Sequence, residues 1–372
     1  MRGHGEGSIY QRKDGRWAAA ITLDNHKRKT FYGDTRREVQ EKLKTALHEQ
    51  QQGMLAAGPQ QTLGAYLEKW LEQVVKLTLE PNTYQQYRSI VRCHLVPAFG
   101  QIKLRKLTTE MVQVLYAQKQ GEGKSARTIA LIHSVLNGAL ENAVVWDLVS
   151  RNVAKLAKYP HLERYEAQTL TMEQALKLLE VARGSRIDAL LLFALTTGMR
   201  RGEILSLRWE DIDFKRGVVF VHRNVSRITG RGFVEGEPKT KAGRRRILLP
   251  DVTREALKSH RVAQEQARIK AGEKWIERGI VFANTIGGFL SSNILRQLFR
   301  DLLKDAGLPH MRFHDLRHSA ATLLLGARVQ LKVVSERLGH ASIATTADIY
   351  SHVLPEMQQE VVEKIDGLFK QG

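Results

Sequence analysis

The sequence predicts a multidomain α+β protein. It begins with a small three-stranded sheet plus one helix, continues as an all-helical module, and ends as a mainly helical region with a small β-sheet. Three observations predict this. Before Thr35, short alternating segments are broken by turn residues, as strands are. From residue 62 to about 159, apolar residues recur at helical spacing. Beyond residue 168, helical periods flank a strand-like stretch at 218–249. A chain of 372 residues exceeds one ordinary core, so separate domains are expected at 1–55, 62–160 and 168–372.

Residues 8–12 and 17–23 read as strands joined at Asp14-Gly15, a hairpin-turn dipeptide. Residues 29–32 read as a third strand after the polar turn at Asn25-His26. Thr35-Arg36-Arg37-Glu38 has capping-box spacing and opens a helix running towards Gln51. So few elements bury little, and this module is expected to draw order from a ligand or neighbour. Arg12, Lys13, Arg16, Lys27, Arg28 and Lys29 crowd its strands and turns. A short basic sheet can lie in a DNA groove, although the same cations also suit a solvated face.

Residues 50–61, with Gly53, Gly58 and Pro59, read as a linker. Tyr66, Leu67, Trp70, Leu71 and Val74 then fall on one helix face, as do Ile129, Ile132, Leu136, Leu140 and Val144. Pro81-Asn82, Pro97 and Gly121 to Gly123 divide this region into four or five helices. A polar connector at 154–168 precedes Thr171-Met172-Glu173-Gln174, another capping box. Val218-Val219-Phe220-Val221 and Ile247-Leu248-Leu249 read as strands on either side of Lys239. Helical pattern returns from there through Leu368, and no internal repeat is evident.

With 42% hydrophobic and 26% charged residues, the chain has the composition of a folded protein, not a disordered one. No apolar run approaches the roughly 18 residues of a membrane span, and the polar N-terminus does not read as a signal peptide. The single Cys93 excludes an intramolecular disulfide, and Cys93-His94 alone cannot build a zinc site. A reducing cytoplasm and no membrane or metal are therefore expected. The formal charge of +19 and pI near 10.0 suit a polyanion-binding protein whose affinity falls with salt.

Five basic residues and a tyrosine recur in order. Arg200 stands in Thr197-Gly198-Met199-Arg200-Arg201-Gly202-Glu203, and Lys239 in Pro238-Lys239-Thr240-Lys241. His314 and Arg317 stand in His314-Asp315-Leu316-Arg317-His318, His340 in Leu338-Gly339-His340, and Tyr350 in Ala347-Asp348-Ile349-Tyr350. Phosphoryl transfer without a metal needs cations on the non-bridging oxygens, an in-line nucleophile and an acid for the leaving oxygen. Arginine suits the first task because its planar fork donates parallel hydrogen bonds and stays charged. Glu203 shares a helix face with Arg200 and can orient it, although this spacing also describes a surface ion pair. Lys239, expected in a hairpin turn, is the candidate acid. Lys241 competes for that role, and with Arg244 it equally suits phosphate contact. Gly339 reads as a left-handed helix end with Ser342 capping the next helix, which places His340 at the corner and Tyr350 at the far end. Clustered cations would ease loss of the phenolic proton.

This ordered set resembles the tyrosine recombinases, the phage-integrase family of site-specific DNA recombinases, over residues 168–357. By that resemblance Arg200, Lys239, His314, Arg317 and His340 are the activating residues and Tyr350 the nucleophile. Residues 62–160 resemble the family's core-binding domain, and residues 1–55 its arm-binding domains. The activity implied is strand exchange through a 3′-phosphotyrosyl link, with no cofactor, by a homotetramer on double-stranded core and arm-type DNA. An accessory directionality protein and a mobile element to integrate or excise are further expectations. A type IB topoisomerase-like nicking-resealing enzyme and a regulator with a non-cleaving recombinase fold remain the alternatives.

Overall fold

The computed structural model describes residues 7–22, 28–51, 61–162, 167–238 and 241–350. The chain forms two compact units, 1–164 and 165–372.

In the first unit, β1 (Ser8–Gln11), β2 (Trp17–Thr22) and β3 (Arg28–Gly33) make an antiparallel sheet in chain order. The β1–β2 turn closes where Gly15 takes a φ of +80° and the Arg12 N–H donates to Arg16 O at 2.9 Å. Strand alternation sends Ile9, Ala19, Ile21 and Phe31 to one face, where they pack on Val39, Leu43 and Ala46 of α1 (Arg36–Gln51). The expected capping residues meet at the start of this helix, with the Glu38 carboxylate shared among several donors. Thr35 Oγ1 accepts from the Glu38 N–H at 3.2 Å, and the Glu38 carboxylate takes the Asp34 N–H and the Lys42 ammonium.

The helical part contains α2 (Leu63–Trp70) and α3 (Lys76–Thr78) joined by a π segment, Leu71–Val75, and α4 (Pro81–Ile90) and α5 (Val96–Phe99) joined by another, Val91–Leu95. With α6 (Thr109–Gly121) and α7 (Ala126–Val145) this gives four continuous rods. The first π segment shifts the buried stripe by one residue, so Val75 lies in the core and Val74 only at its edge. Helix α7 is, by length and composition alone, apolar enough to cross a membrane, although Arg127, His133, Asn137, Glu141 and Asn142 interrupt its apolar run. Its Ile129, Ile132, Val135, Leu136 and Leu140 are spent on the core of this unit.

In the second unit, α8 (Met172–Ala182) begins with both bonds of the expected Thr171–Gln174 box. Helix α9 (Asp188–Thr197) is apolar on nearly every side and buried accordingly, with Phe193 fully enclosed. Helix α10 (Arg201–Leu205) follows it directly. Strands β4 (Ile212–Asp213), β5 (Val218–Val221) and β8 (Arg245–Leu248) form one antiparallel sheet, and β6 (Asn224–Ile228) with β7 (Gly232–Gly236) a separate ribbon. Helices α11 (Asp251–Ala271), α12 (Ser292–Asp305), α13 (Asp315–Gly326), α14 (Leu331–Leu338) and α15 (Ile343–Tyr350) complete the described chain. The core cluster runs from Leu170 through α9 to Leu316, so α9 supports the start of α13.

Candidate active site

Helix α9 stops at Gly198, whose φ is +63°. A side chain there would be strained, and its Cβ would come within 2.5 Å of Leu338 Cδ2. The chain reverses and presents Arg200, in extended conformation, as the N-cap of α10. The Arg200 N–H donates to Glu203 Oε2 at 2.9 Å, its Nη1 to Oε1 at 2.9 Å, and its Nη2 to the Gly339 carbonyl at 3.0 Å. Glu203 is only 3% exposed, so this is no surface ion pair. Its Oε2 also accepts from Arg245 Nη2 at 3.0 Å. Burial pushes the Glu203 carboxyl up, but Arg245 and Arg200 together outweigh burial and hold it below its ordinary range. Removing either guanidinium would leave a buried carboxylate short of compensation.

Arg317 lies in the first turn of α13, 4% exposed, with Nη1 donating to the Gly198 carbonyl at 2.8 Å. The backbone corner that presents Arg200 thus also anchors Arg317. His314 is the N-cap residue of α13, edge-on to His318 at a ring separation of 5.7 Å. Burial, then Arg317 and His318, push the His314 imidazole down to about 4.

Helix α14 ends as expected at Gly339, with a φ of +70° and its N–H donating to the Ser335 carbonyl at 3.0 Å. Ser342 Oγ accepts from the Ala344 N–H at 3.2 Å and caps α15. Between them, His340 Nδ1 lies 2.8 Å from Thr346 Oγ1. Burial, followed by Arg317, Arg200, His318 and Arg245, pushes His340 down to about 4. Two neutral imidazoles and two pinned guanidiniums therefore converge, at the mouth of the helix that carries Tyr350 at its end. Such a set can hold a phosphodiester by its non-bridging oxygens, with the neutral imidazoles offering hydrogen bonds beside the guanidiniums.

Residues 168–357 match the phage integrase family, and residues 62–119 match the N-terminal SAM-like domain of phage integrases. The chain belongs to the phage integrase family. It is a tyrosine recombinase, an enzyme of site-specific DNA recombination. The recombinase is similar to a XerC-like tyrosine recombinase of Caldanaerobacter subterraneus subsp. tengcongensis, 32% identical over 92% of each chain. It is also similar to an integrase of Streptomyces ambofaciens, 32% identical over 100% of this chain and 98% of that one. Its fold resembles the Tn1549 transposon integrase solved with transposon right end DNA (TM-score 0.68, 22% identity, 80% of this chain and 99% of that one). It also resembles the lambda integrase tetramer solved on a Holliday junction (TM-score 0.60, 19% identity, 94% and 96% covered).

Not every expected residue of the recombinase joins this cluster. Lys239 and Lys27 lie outside the described residues, as does the expected C-terminal helix through Leu368. The strands that flank the Lys239 segment do not pair with each other. The segment connects β7 to β8, which belong to different sheets, whereas β8 pairs with β5. Lys241 opens a 3-10 turn, Lys241–Gly243, and Arg244 is exposed and paired with Glu237. In the N-terminal sheet, Arg12 and Arg16 flank Asp14, with the Arg12 guanidinium 5.1 Å over Tyr32. Lys13 is exposed in the turn, and Arg28 donates to Ser8 Oγ at 3.2 Å. Lys29 departs from the others. Its register opposite Ile21 and its ammonium 5.6 Å from the Phe31 ring put it on the α1 side of the sheet.

Four residues of the cluster escaped the sequence reading: His318, Arg245, Arg337 and Thr346. His318 stands within the His314-to-His318 motif itself. Arg245 carried a signal in strand alternation, because it shares a face with buried Ile247 while Arg244 and Arg246 point outward. Arg337 donates to the Thr196 carbonyl at 2.7 Å, a contact that no local pattern reveals.

Proposed function

We propose that Arg200 and Arg317 grip the non-bridging oxygens of a scissile DNA phosphate while Tyr350 attacks it. The Tyr350 phenol gives up its proton to solvent as its oxygen bonds to phosphorus, the bond to the 5′ oxygen breaks, and Lys239 gives that oxygen a proton that solvent then restores. The products are a 3′-phosphotyrosyl link and a free 5′ hydroxyl. Attack by a partner strand's 5′ hydroxyl on the link then restores a phosphodiester and the phenol. His314 and His340 donate or accept hydrogen bonds at the same phosphate. The observation that carries this reading is the joint anchoring of Arg200 and Arg317 to the Gly339 and Gly198 carbonyls, beside His340 and ahead of Tyr350.

Around that centre, residues 168–372 act as the catalytic domain, 62–160 as the core-binding domain and 1–55 as an arm-type DNA-binding domain. Four protomers would act on paired duplexes in the cytoplasm, with an accessory protein setting the balance of integration and excision. The four-subunit arrangement is supported by the lambda integrase tetramer, whose fold this chain shares.

Covalent capture tests the chemistry on a target of any sequence. The full-length protein is incubated with a randomised duplex library nicked near the centre, and DNA retained under denaturing conditions is sequenced. The expected result is enrichment of a defined site, with Tyr350 as the modified residue by mass spectrometry and no capture by Tyr350→Phe. Equal capture by Tyr350→Phe, or no capture by the wild type, would refute the reading.

A further inference from the structure

Arg245 is the first residue of β8, opposite Val221 in β5, and its side chain is 7% exposed. It reaches three separate segments. Nε donates to the Arg337 carbonyl in the last turn of α14 at 2.7 Å, Nη1 to the Gly243 carbonyl at 3.1 Å, and Nη2 to Glu203 Oε2 at 3.0 Å. Its Nη1 lies so near Gly339 that a Cβ there would be 2.9 Å away. Its neighbours in the basic run make no such set: Arg244 pairs with Glu237 on the surface and Arg246 is exposed.

The geometry points to Arg245 as a positioning residue for strand cleavage, which fixes the Arg200 guanidinium through Glu203 and the His340 corner through the end of α14. This rests on the reading of Arg200 as a phosphate ligand. Glu203 has two oxygens and two guanidiniums to satisfy. Arg245 and the Arg200 N–H hold Oε2, which stops the carboxylate from rotating and leaves Oε1 at one place for Arg200 Nη1. The second anchor of Arg200 is the Gly339 carbonyl, and Arg245 braces that same turn from Arg337. Both supports of the Arg200 fork therefore depend on one buried side chain. The Arg200 side chain itself remains 37% exposed, open to a ligand. Lysine cannot replace Arg245, because three acceptors spread around a planar fork exceed the reach of one ammonium.

The test uses the full-length protein and the duplex recovered by covalent capture, nicked, in two forms. One has an ordinary scissile phosphate and the other a neutral methylphosphonate at that position. Arg245→Gln should form adduct about 10- to 100-fold more slowly on the phosphate, the scale of a misplaced reacting group. On methylphosphonate, which carries no charge for Arg200 to neutralise, the gap to wild type should close. Should Arg245→Gln fold poorly because Glu203 is left buried with one partner, the double variant Glu203→Gln/Arg245→Gln removes that charge and should show the same pattern. Wild-type rates on the phosphate, or equal losses on both duplexes, would overturn the proposal for Arg245 alone. Absence of any wild-type adduct would overturn the nucleophile reading and this proposal with it.

Discussion

His340 and Thr346 are joined by a 2.8 Å contact between the imidazole Nδ1 and the threonine hydroxyl, and Thr346 is fully buried. Thr346 lies one helical turn before Tyr350 on α15, so the contact ties the helix of the proposed nucleophile to a group of the proposed phosphate site. With Nδ1 engaged, the proposed phosphate contact of His340 falls to Nε2. Thr346→Val keeps the volume but deletes the bond. A hydrogen bond of about 1 kcal/mol corresponds to a several-fold effect, and an unsatisfied buried partner to about tenfold or more. The expected outcome is adduct formation slowed to that extent in Thr346→Val and restored in Thr346→Ser. A valine variant as fast as wild type would remove Thr346 from the mechanism.

The two guanidinium clamps should be more sensitive. Arg200 donates to the Gly339 carbonyl and to Glu203, and Arg317 to the Gly198 carbonyl, so both guanidiniums are fixed in place. Losing one transition-state donor costs about 100- to 1000-fold. Arg200→Lys and Arg317→Lys should both fall by that amount in single-turnover cleavage, since an ammonium cannot hold carbonyl and phosphate together. Near-normal rates in either would assign that arginine to structure.

Acid should destabilise the second unit through its histidines. His314 and His340 are held at about 4 by burial and by Arg317, against an ordinary 6.5. The unfolded chain takes up these protons first, so their protonation favours unfolding. The contribution is complete above pH 6.5 and is lost as pH falls through about 4. Melting temperature, followed calorimetrically, should drop across that window, and less steeply in His314→Gln. An unchanged slope in that variant would mean that His314 does not carry the effect.

Much of this site was legible from sequence because its parts are local. Gly198 and Gly339 end helices and need positive φ, and such positions leave short signatures beside the residues they present. Arg200 with Glu203, and His314 with Arg317, are spaced by one helical turn. What was not legible is what holds these parts to one another. Arg245 to Glu203, Arg337 to Thr196 and Arg317 to Gly198 span 42, 141 and 119 residues, and no periodicity encodes a contact of that range. The displacement of Val74 by Val75 has a similar origin, since a π segment changes the period of the helix from the 3.6 residues that place Val74 inward.

The acid for the leaving oxygen separates Lys239 from Lys241. A 5′-bridging sulfur leaves without needing a proton, so it should rescue cleavage by Lys239→Ala and leave the defects of Arg200→Lys in place. The connection between β7 and β8 crosses from one sheet to another, so hairpin geometry does not decide between the two lysines. Selective rescue of Lys241→Ala in the same assay would transfer the role to Lys241.

The N-terminal sheet offers a sharper test of arm-type binding than deletion. Its open face carries Tyr10 and Tyr32, exposed to 42% and 50%, in one row across Ala18. Arg12 stacks over Tyr32, and Arg28 borders the same face beside Ser8. Lys29 points instead to the α1 side. If the open face meets DNA, Arg12→Ala and Arg28→Ala should each weaken binding to an arm-type duplex and lower the salt slope by about one counterion. Lys29→Ala, with the same loss of charge, should change neither, and binding at the cleavage site should be unaffected in all three. Because the substitutions are equal in charge and differ in face, equal losses at Lys29 and Arg28 would reduce the sheet to a diffuse cationic surface and refute groove recognition by its open side.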